Sequence, residues 1–537
     1  MAKRFTTVFF ITLAIAVLCV AIFTLVLFMA PGMSVFGLKY ITVNTHVVNQ
    51  KFKISDVLAE ELGGGDFSGS IRVETEDVPV NVIFTQGWYY EVVYYDNFSG
   101  LTTSKFDDPS IAVTKDDDGT AVIKVTSFKK FIYENANSTR YLNILIPAVT
   151  VDEGGTLGGQ TDITIIGDNA NVGFGDEKPD NFNPYFHKIT IETAGSVGSS
   201  INLKADTYSL KTLNAINIGS DTTAAINASN YLLTSTGGNV VVNRDVPGNL
   251  EITTTNASVK VLSCENLTIN SGWGDVSCVD PEKDIVVRGK ANITTTAGRV
   301  YIGTIAGTGE LSVISTKTGS IDIKKVYDAE LTTTRGAVKV NSARNLKTTT
   351  SSGSVVVEES TASLNITTKR GKVIVGGEHS VVVNPTIVTT YGKVFVSTAS
   401  GVVNIETTNA NVEFTNKDAS QITLNVGGKL KAEKLTGKVD ITVDGASTIS
   451  FKSFTAHSKI INNGSGYLTI NLLETKVTDF AYSLEGVEVK LMEFNTEDPS
   501  GHRQVTVPSS IITGGTSGQP KLTVTSKGSM IVYCKMS

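Results

Sequence analysis

The chain is poor in charge and in the residues that carry out chemistry. Only 18% of its 537 residues are Asp, Glu, Lys or Arg, below the quarter that is typical of soluble domains. The formal net charge is −6, so there is no basic excess of the kind that holds nucleic acid. The few histidines lie far apart in the sequence, at His46, His187, His379, His457 and His502. These shortages argue against a nucleic-acid partner and leave little material for a catalytic centre.

Cysteine is equally scarce. The chain has four cysteines and no Cys-x-x-Cys pair, so no metal site is expected. Cys264 and Cys278 could form a disulfide in an oxidising compartment or remain two buried free thiols, and the sequence leaves both open. The P-loop, Gly-x-Ser-x-Gly and His-Glu-x-x-His motifs are missing as well. We therefore expect no cofactor and no enzymatic activity.

Charge is missing altogether from Phe5 to Leu38, directly after Lys3 and Arg4. The apolar part of this run is long enough to span a bilayer as one helix. A cleaved signal peptide would have a shorter apolar stretch and small residues at its exit, so we favour an uncleaved anchor over that alternative. The sequence thus predicts a single-pass protein of the cell membrane, with residues after Lys39 outside the cell.

One short motif is abundant. Its cleanest copy runs from Leu331 through three threonines and Arg335 to Gly336, Ala337, Val338, Lys339 and Val340. Side chains alternate along a strand, so the apolar residues of each half share one face. The glycine lies at the turn between the halves, where positive φ is easiest without a Cβ. Two copies have Asn-Ala instead, and Asn256 and Asn409 are expected to adopt the same left-handed conformation.

The turns recur at a nearly constant spacing. They lie at residues 298, 319, 336, 353, 371, 392 and 410, a period of roughly 19 residues. Such a period holds short strands and no helix, so equivalent strands should stack in parallel from one coil to the next. Stacking buries the single apolar face of each unit. The fold class predicted is all-β, a parallel β-solenoid (β-helix) preceded by one N-terminal transmembrane helix.

Four regions follow from these patterns. Residues 1–38 form the cytoplasmic stub and anchor, 39–150 a β-rich lead-in, 151–480 the solenoid repeats, and 481–537 the last coils and a cap. In the lead-in, the Asp116–Gly119 segment predicts a hairpin turn, with a calcium loop as the alternative. A last copy of the motif, at Lys521–Val532, is expected to close the end of the solenoid.

The Gly-x-Val-x-Val units, with the segment Tyr141–Pro147 ahead of them, resemble the DUF4097-type family of adhesin-like β-strand repeat proteins. The resemblance covers roughly residues 40–537. It implies an envelope-anchored, non-catalytic binding or display module and supplies no ligand residues. A structural or envelope-stress sensory protein is the alternative. A polysaccharide-active β-helix enzyme is a second one, which is disfavoured because the carboxylates of the coils are scattered.

Cations flank the same turn in several coils. They are Arg299, Arg335, Arg370, Lys372 and Lys393. If the coils stack in register, these side chains form a ridge that could bind an extended anionic glycan or another envelope polymer. The alternative is that they are ordinary solvated turn residues. The oligomeric state is left open.

Overall fold

The computed structural model describes most of the chain, in fourteen ranges of residues. These are 2–29, 34–35, 38–53, 69–85, 89–103, 110–126, 133–134, 139–148, 161–176, 184–219, 226–280, 282–308, 310–494 and 501–536.

The structure divides into two compact units, Met1–Ser235 and Thr236–Ser537. The first unit begins with helix α1 (Ala2–Met29), whose described side chains, residues 9–22, are all exposed. None of the helical residues that the structure describes forms a segment long and apolar enough to cross a bilayer. Strands make up nearly all of the remaining regular structure, as the sequence predicted.

The strands of the first unit are β1 (Ser34–Val35), β2 (Leu38–Lys53), β3 (Ile71–Thr75), β4 (Val80–Thr85), β5 (Tyr89–Thr103), β6 (Ser110–Lys115), β7 (Ala121–Thr126), β8 (Tyr133–Glu134), β9 (Thr139–Pro147), β10 (Asp162–Gly167), β11 (Val172–Asp176), β12 (Tyr185–Thr193), β13 (Val197–Ser199), β14 (Leu203–Thr212), β15 (Ile216–Ile218) and β16 (Ile226–Ser235).

Parallel stacking in the first unit begins earlier than the predicted boundary at residue 151. Strand β3 pairs in parallel with β7 and β10, and β10, β12, β14 and β16 continue the stack. Strand β9 is parallel to β4 but antiparallel to β5, which also pairs antiparallel with β2. The lead-in therefore mixes solenoid layers with antiparallel strands.

The predicted hairpin turn in the lead-in is confirmed. Strands β6 and β7 pair antiparallel, and Gly119 between them has a φ of 86°. The backbone N–H of Thr120 donates a hydrogen bond of 2.9 Å to the Asp116 carboxylate. A hydrogen bond to Asp118 raises the pKa of Asp116, and the same bond lowers the pKa of Asp118. These carboxylates are thus used to shape the turn.

The strands of the second unit are β17 (Val240–Thr254), β18 (Val259–Ser271), β19 (Val276–Cys278), β20 (Val286–Val287), β21 (Ala291–Thr295), β22 (Val300–Ile305), β23 (Leu311–Thr316), β24 (Ile321–Thr333), β25 (Val338–Thr350), β26 (Val355–Thr368), β27 (Val373–Val375), β28 (Val382–Val383), β29 (Pro385–Thr389), β30 (Val394–Thr407), β31 (Val412–Val426), β32 (Leu430–Leu435), β33 (Lys438–Val443), β34 (Ser447–Phe451), β35 (Ser458–Asn462), β36 (Leu468–Lys476), β37 (Ala481–Phe494), β38 (His502–Gln504), β39 (Ser509–Gly514), β40 (Lys521–Ser526) and β41 (Met530–Lys535). A short 3-10 helix, Val477–Asp479, follows β36.

Register in the second unit confirms a parallel solenoid. Ile321 pairs with Val338 and Val338 with Val355, so successive coils repeat the same position. Each coil turns its alternate apolar side chains inward: Val338, Val340 and Leu346 of β25 are at most 1% exposed. Inward columns of Val, Ile and Leu therefore run through the coils as a continuous core.

The turn glycines are required for a different reason from the one predicted. A Cβ on Gly336 would overlap the carbonyl oxygen of Gly319, and a Cβ on Gly353 would overlap that of Gly336. None of these three has φ in the left-handed range. At these positions the turns stack so closely that no methyl group fits between them. We call this stack of buried turn glycines the glycine column.

The conformation predicted for the two Asn-Ala turns is wrong for the same reason. Among the described residues other than glycine, positive φ occurs at Asn384 and Lys434 and not at Asn256 or Asn409. The alanine that follows each of these asparagines takes the column position instead. Both turns therefore keep the ordinary backbone conformation of the column.

A ladder of buried threonines fixes the turns from inside. The backbone N–H of Gly336 donates a hydrogen bond of 3.0 Å to Oγ1 of Thr333, three residues earlier. Thr350 accepts in the same way from Gly353, at 3.0 Å. Each threonine satisfies a backbone donor that the turn would otherwise leave buried and unpaired. This explains why the motif ends its first strand in threonine.

The end of the second unit is built out of sequence order. Strands β40 and β41 pair in parallel with β35 and β36 on one side and with β37 on the other. The last motif copy is therefore an inserted layer, and β37 with antiparallel β38 and β39 lies beyond it. The prediction that the Lys521–Val532 copy itself closes the solenoid is therefore wrong. Antiparallel strands cover the end instead.

The cysteines of the second unit are free thiols. Cys264, Cys278 and Cys534 are all buried, and none forms a disulfide. Burial raises the pKa of Cys264 to about 12, so this thiol stays protonated at neutral pH. Of the two alternatives left open for Cys264 and Cys278, the structure shows the free thiols.

Candidate functional site

Eight successive turns of the second unit form a strongly cationic edge. We define the turn edge as the two residues before, the residue at, and the residue after each column position from Gly298 to Gly428. These turns contain no Asp or Glu and eight cations: Arg299, Lys317, Arg335, Lys369, Arg370, Lys372, Lys393 and Lys429. All eight side chains are exposed. At about 4.8 Å per coil, the edge spans roughly 34 Å.

The structure brings three of the five predicted residues together. Arg370 and Lys372 flank Gly371, and Lys393 is in the next coil, because the Val373 N–H donates to the Lys393 carbonyl at 2.9 Å. Arg335 lies two coils away, with the uncharged Gly353 turn between. The ridge is therefore densest at one place and interrupted elsewhere.

Arg299 does not belong to that dense group. It lies four coils from Lys372, and its Nε is 3.7 Å from Oδ2 of Asp275 in the neighbouring coil. Its backbone N–H also donates to Asp275, at 2.8 Å. A carboxylate thus lies beside this arginine, which makes it less available to an outside anion than an unpaired cation of the edge.

Sequence reasoning missed three cations of the edge. Lys317 and Lys369 lie two positions before the column glycine, and Lys429 lies one position after Gly428. The Arg335 N–H donates to the Lys317 carbonyl at 3.1 Å, which places the two in adjacent turns. The sequence contained a signal for these three lysines, because each lies one or two positions from a turn glycine. Lys317 and Lys369 are not adjacent to the glycine, and the Gly428 turn lies beyond the last turn of the predicted series, at residue 410.

Most cations of the edge have no acidic partner. Within the described ranges, Lys317, Arg335, Lys369, Arg370 and Lys372 form no ion pair, and Lys429 forms none either. Lys393 is the second exception, with Nζ 2.6 Å from the Glu413 carboxylate. The edge therefore keeps a net positive charge that the fold itself does not neutralise.

Several arginines and lysines on other parts of the second unit form ion pairs with carboxylates. Arg288 donates to the Asp245 carboxylate at 2.8 Å, and Lys324 donates to that of Asp284 at 2.8 Å. A hydrogen bond from Ser263, followed by that from Arg288, lowers the pKa of Asp245. Lys324 lowers the pKa of Asp284. Among the described residues, unpaired lysines such as Lys325 and Lys438 also occur elsewhere on the unit, so what distinguishes the turn edge is a run of turns that contain cations and no carboxylate.

Two lysines of the edge share one aromatic ring. Lys372 Nζ lies 4.6 Å and Lys393 Nζ 4.1 Å from the ring centroid of Phe395. A ring face attracts cations, so Phe395 stabilises both ammonium groups, which belong to neighbouring coils. Tyr391, in the turn of Lys393, is 53% exposed. The dense part of the edge thus combines fixed positive charge with an exposed ring.

Two of the described histidines make separate contacts in the two units. In the first unit, Nδ1 of His187 is 2.9 Å from the Asp162 carboxylate, and both side chains are exposed. In the second, Nδ1 of His457 accepts a hydrogen bond of 2.9 Å from the Lys521 backbone. Among the residues that the structure describes, no three His, Cys, Asp or Glu side chains converge as metal ligands would.

Comparisons with known proteins add little. No known family matches this chain by its sequence profile, and no curated protein matches its sequence. A solved structure described as a "putative cell adhesion protein" from Clostridium sporogenes aligns with 57% of this chain and 100% of its own, at 9% identity and a TM-score of 0.19. A likeness at that score carries no argument, so the DUF4097-type resemblance stays a prediction.

Proposed function

We propose that this protein is a non-catalytic binding or display module of the cell envelope that holds an extended anionic polymer along the turn edge. The observation that carries the proposal is the row of exposed and mostly unpaired cations in a run of turns free of carboxylates. A stack of turns offers a long edge and no deep cleft, so an extended partner suits it better than a compact one. Neighbouring weak contacts then act together through a high effective concentration.

The proposal includes an uncleaved membrane anchor in residues 1–38. Its support is the charge-free run from Phe5 to Leu38 and the exposure of the apolar side chains of α1, which is 48–65% for the large ones between Phe9 and Ile22. A helix that is apolar on all sides is stable where lipid or protein surrounds it. A span needs about 20 residues, so the anchor requires more of the run than residues 9–22.

The binding proposal is tested by removing charge without changing the fold. The variant replaces five unpaired cations by alanine: Lys317, Arg335, Lys369, Arg370 and Lys372. Each exposed cation contributes well under about 1 kcal/mol, so single changes should do little, while the five together should weaken retention of a polyuronate such as alginate at least about tenfold. Retention should also fall between low and physiological salt.

A matched control replaces five exposed lysines outside the turn edge: Lys325, Lys417, Lys438, Lys452 and Lys459. Both variants have the same net charge, so a loss confined to the first assigns binding to the edge. Equal retention by the two variants would reject the proposal. Shortened alginate in the same assay would indicate an enzyme instead.

The anchor is tested by topology. Protease added to cells without a wall should digest residues after Lys39 and leave the first few residues intact. Protection of the whole chain would contradict outward display. A soluble fragment that starts near Met33 would show that the run is cleaved as a signal peptide.

A further inference from the structure

A hollow of about 470 Å³ opens beside the turn edge in the second unit, within the size range of small-ligand sites. Its walls include Lys393, Lys429, Lys431, Glu413 and Tyr467. It lies between two stacks of outward-facing side chains. In each coil, one of these side chains directly follows the column position and the other lies two residues later. It is therefore continuous with the proposed polymer-binding edge.

Short side chains create the hollow. Lys431 pairs in register with Thr448, and Thr448 with Thr469, so a layer containing Ala446 and Thr448 lies between longer neighbours. The N–H of Ser447 donates to the Tyr467 carbonyl at 3.0 Å, which places the ring at the far wall. Ala446 is exposed and fills little of the space between Lys429 and Tyr467.

Among the residues that the structure describes, two of the three lysines that line the hollow form ion pairs, and the third does not. Lys393 pairs with Glu413 at 2.6 Å, and Lys431 pairs with Glu433 at 2.7 Å. Lys429 forms no ion pair within the described ranges and is exposed. Because three lysines face one carboxylate inside the hollow, an anion gains Lys429 as an unpaired donor.

We propose that the hollow binds one carboxylated sugar unit of an anionic polymer. Lys429 would hold the carboxylate, and Glu413, an acceptor, suits hydroxyl groups. Tyr467, 46% exposed, offers a ring face to the apolar side of a sugar. A bare inorganic anion makes neither the ring contact nor the hydroxyl contacts, so it should bind less well than a carboxylated sugar. The assignment rests on the proposed function in taking the ligand to be an anionic polymer, whose repeating unit it specifies.

The experiment titrates the full chain with glucuronic acid, glucose and inorganic phosphate and follows binding by calorimetry or NMR. Glucuronic acid should bind better than either of the others. Lys429→Ala should weaken its binding about tenfold, since a hydrogen bond to a charged group is lost. Ala446→Phe should abolish binding by filling the hollow with all charges kept. Lys417→Ala, on an exposed lysine that lines neither site, should bind like the parent.

Ala446→Ser serves as the second variant if the phenylalanine disturbs the fold, and it should leave binding intact. Glucuronic acid binding that ignores both Lys429→Ala and Ala446→Phe overturns the assignment, as does phosphate binding of equal strength. Alginate retained by a chain that does not bind glucuronic acid rejects the hollow alone. Glucuronic acid binding without alginate retention rejects the polymer-binding function alone.

Discussion

A single methyl group decides which residues the glycine column accepts. The turn backbones of neighbouring coils approach so closely that a Cβ on Gly336 meets the carbonyl oxygen of Gly319. Two coils nevertheless carry alanine, at Ala257 and Ala410, both 3% exposed. Alanine is therefore accepted at some column positions, and whether it fits at a given turn depends on how far that turn can shift from its neighbour.

We expect Gly336→Ala to lower the free energy of unfolding by about 1–3 kcal/mol, the range of overpacked sites. Gly336 is bounded by glycine turns on both sides, so relief needs several turns to move. The urea midpoint measures the loss. Gly198→Ala is the control, because a Cβ there meets nothing within 4 Å and φ is ordinary. Equal midpoints for the two variants would show that the column is not tightly packed.

The positions of the column glycines were predicted correctly from the sequence, but the reason predicted for them, positive φ, was wrong. Spacing along one chain reveals that a residue without a Cβ recurs, and positive φ is the local explanation for that. The true cause is a contact between Gly336 and Gly319, which belong to different coils. Such a contact depends on the stacking distance, and no local pattern encodes it.

At the scale of one strand, β25 contains two buried threonines with opposite energetic roles. Oγ1 of Thr350 accepts a hydrogen bond of 3.0 Å from Gly353. Oγ1 of Thr348, at 0% exposure, has no hydrogen-bond partner. It pairs with Leu331 and Ile366 in the neighbouring coils, so its hydroxyl lies in an apolar column.

Valine, which has nearly the shape of threonine, separates the two roles. Thr348→Val should raise the free energy of unfolding by about 1 kcal/mol, because an unsatisfied buried hydroxyl is removed. Thr350→Val should lower it by a similar amount, because the Gly353 N–H loses its acceptor. Urea midpoints that move in the same direction for both variants would contradict this account of the strand.

The strands were largely predictable and the site only partly so. Alternation placed Leu331 and Thr333 on one inward face, and both are buried. It could not distinguish Thr348 from Thr350, because the partners of both lie outside the strand. Likewise Arg299 looked equivalent to Lys372 in sequence, yet Asp275, in another coil, pairs with it. Pairing across coils requires the register, which a single repeat does not reveal.

At the scale of the molecule, the second unit depends on its inserted layer. Strand β37 pairs along its length with β40 and β41. A chain stopped after Pro520 keeps β37, β38 and β39 but has lost the surface on which they pack. Limited proteolysis should then cut within β37, residues 481–494, more readily than in the full chain, where β40 and β41 pair with that strand.

A chain stopped after Lys476 is the comparison, because it loses the inserted layer and the covering strands together. Both truncated chains should keep a resistant core that ends near β36, since the coils before it stack on their own neighbours. Resistance of residues 481–494 in the chain stopped after Pro520 would mean that β37 can pack directly on β35 and β36.

The inserted layer also separates the order of synthesis from the order of stacking. Residues 481–494 leave the ribosome before residues 521–535, yet they occupy the layer further out. At about 5–20 residues per second, the intervening chain takes a few seconds to appear. During that interval β37 either remains unpaired or pairs with the coils already formed and must later dissociate from them. A nascent chain therefore presents an open strand edge until residue 535 has been made, and chaperones could recognise an unfinished copy by that edge.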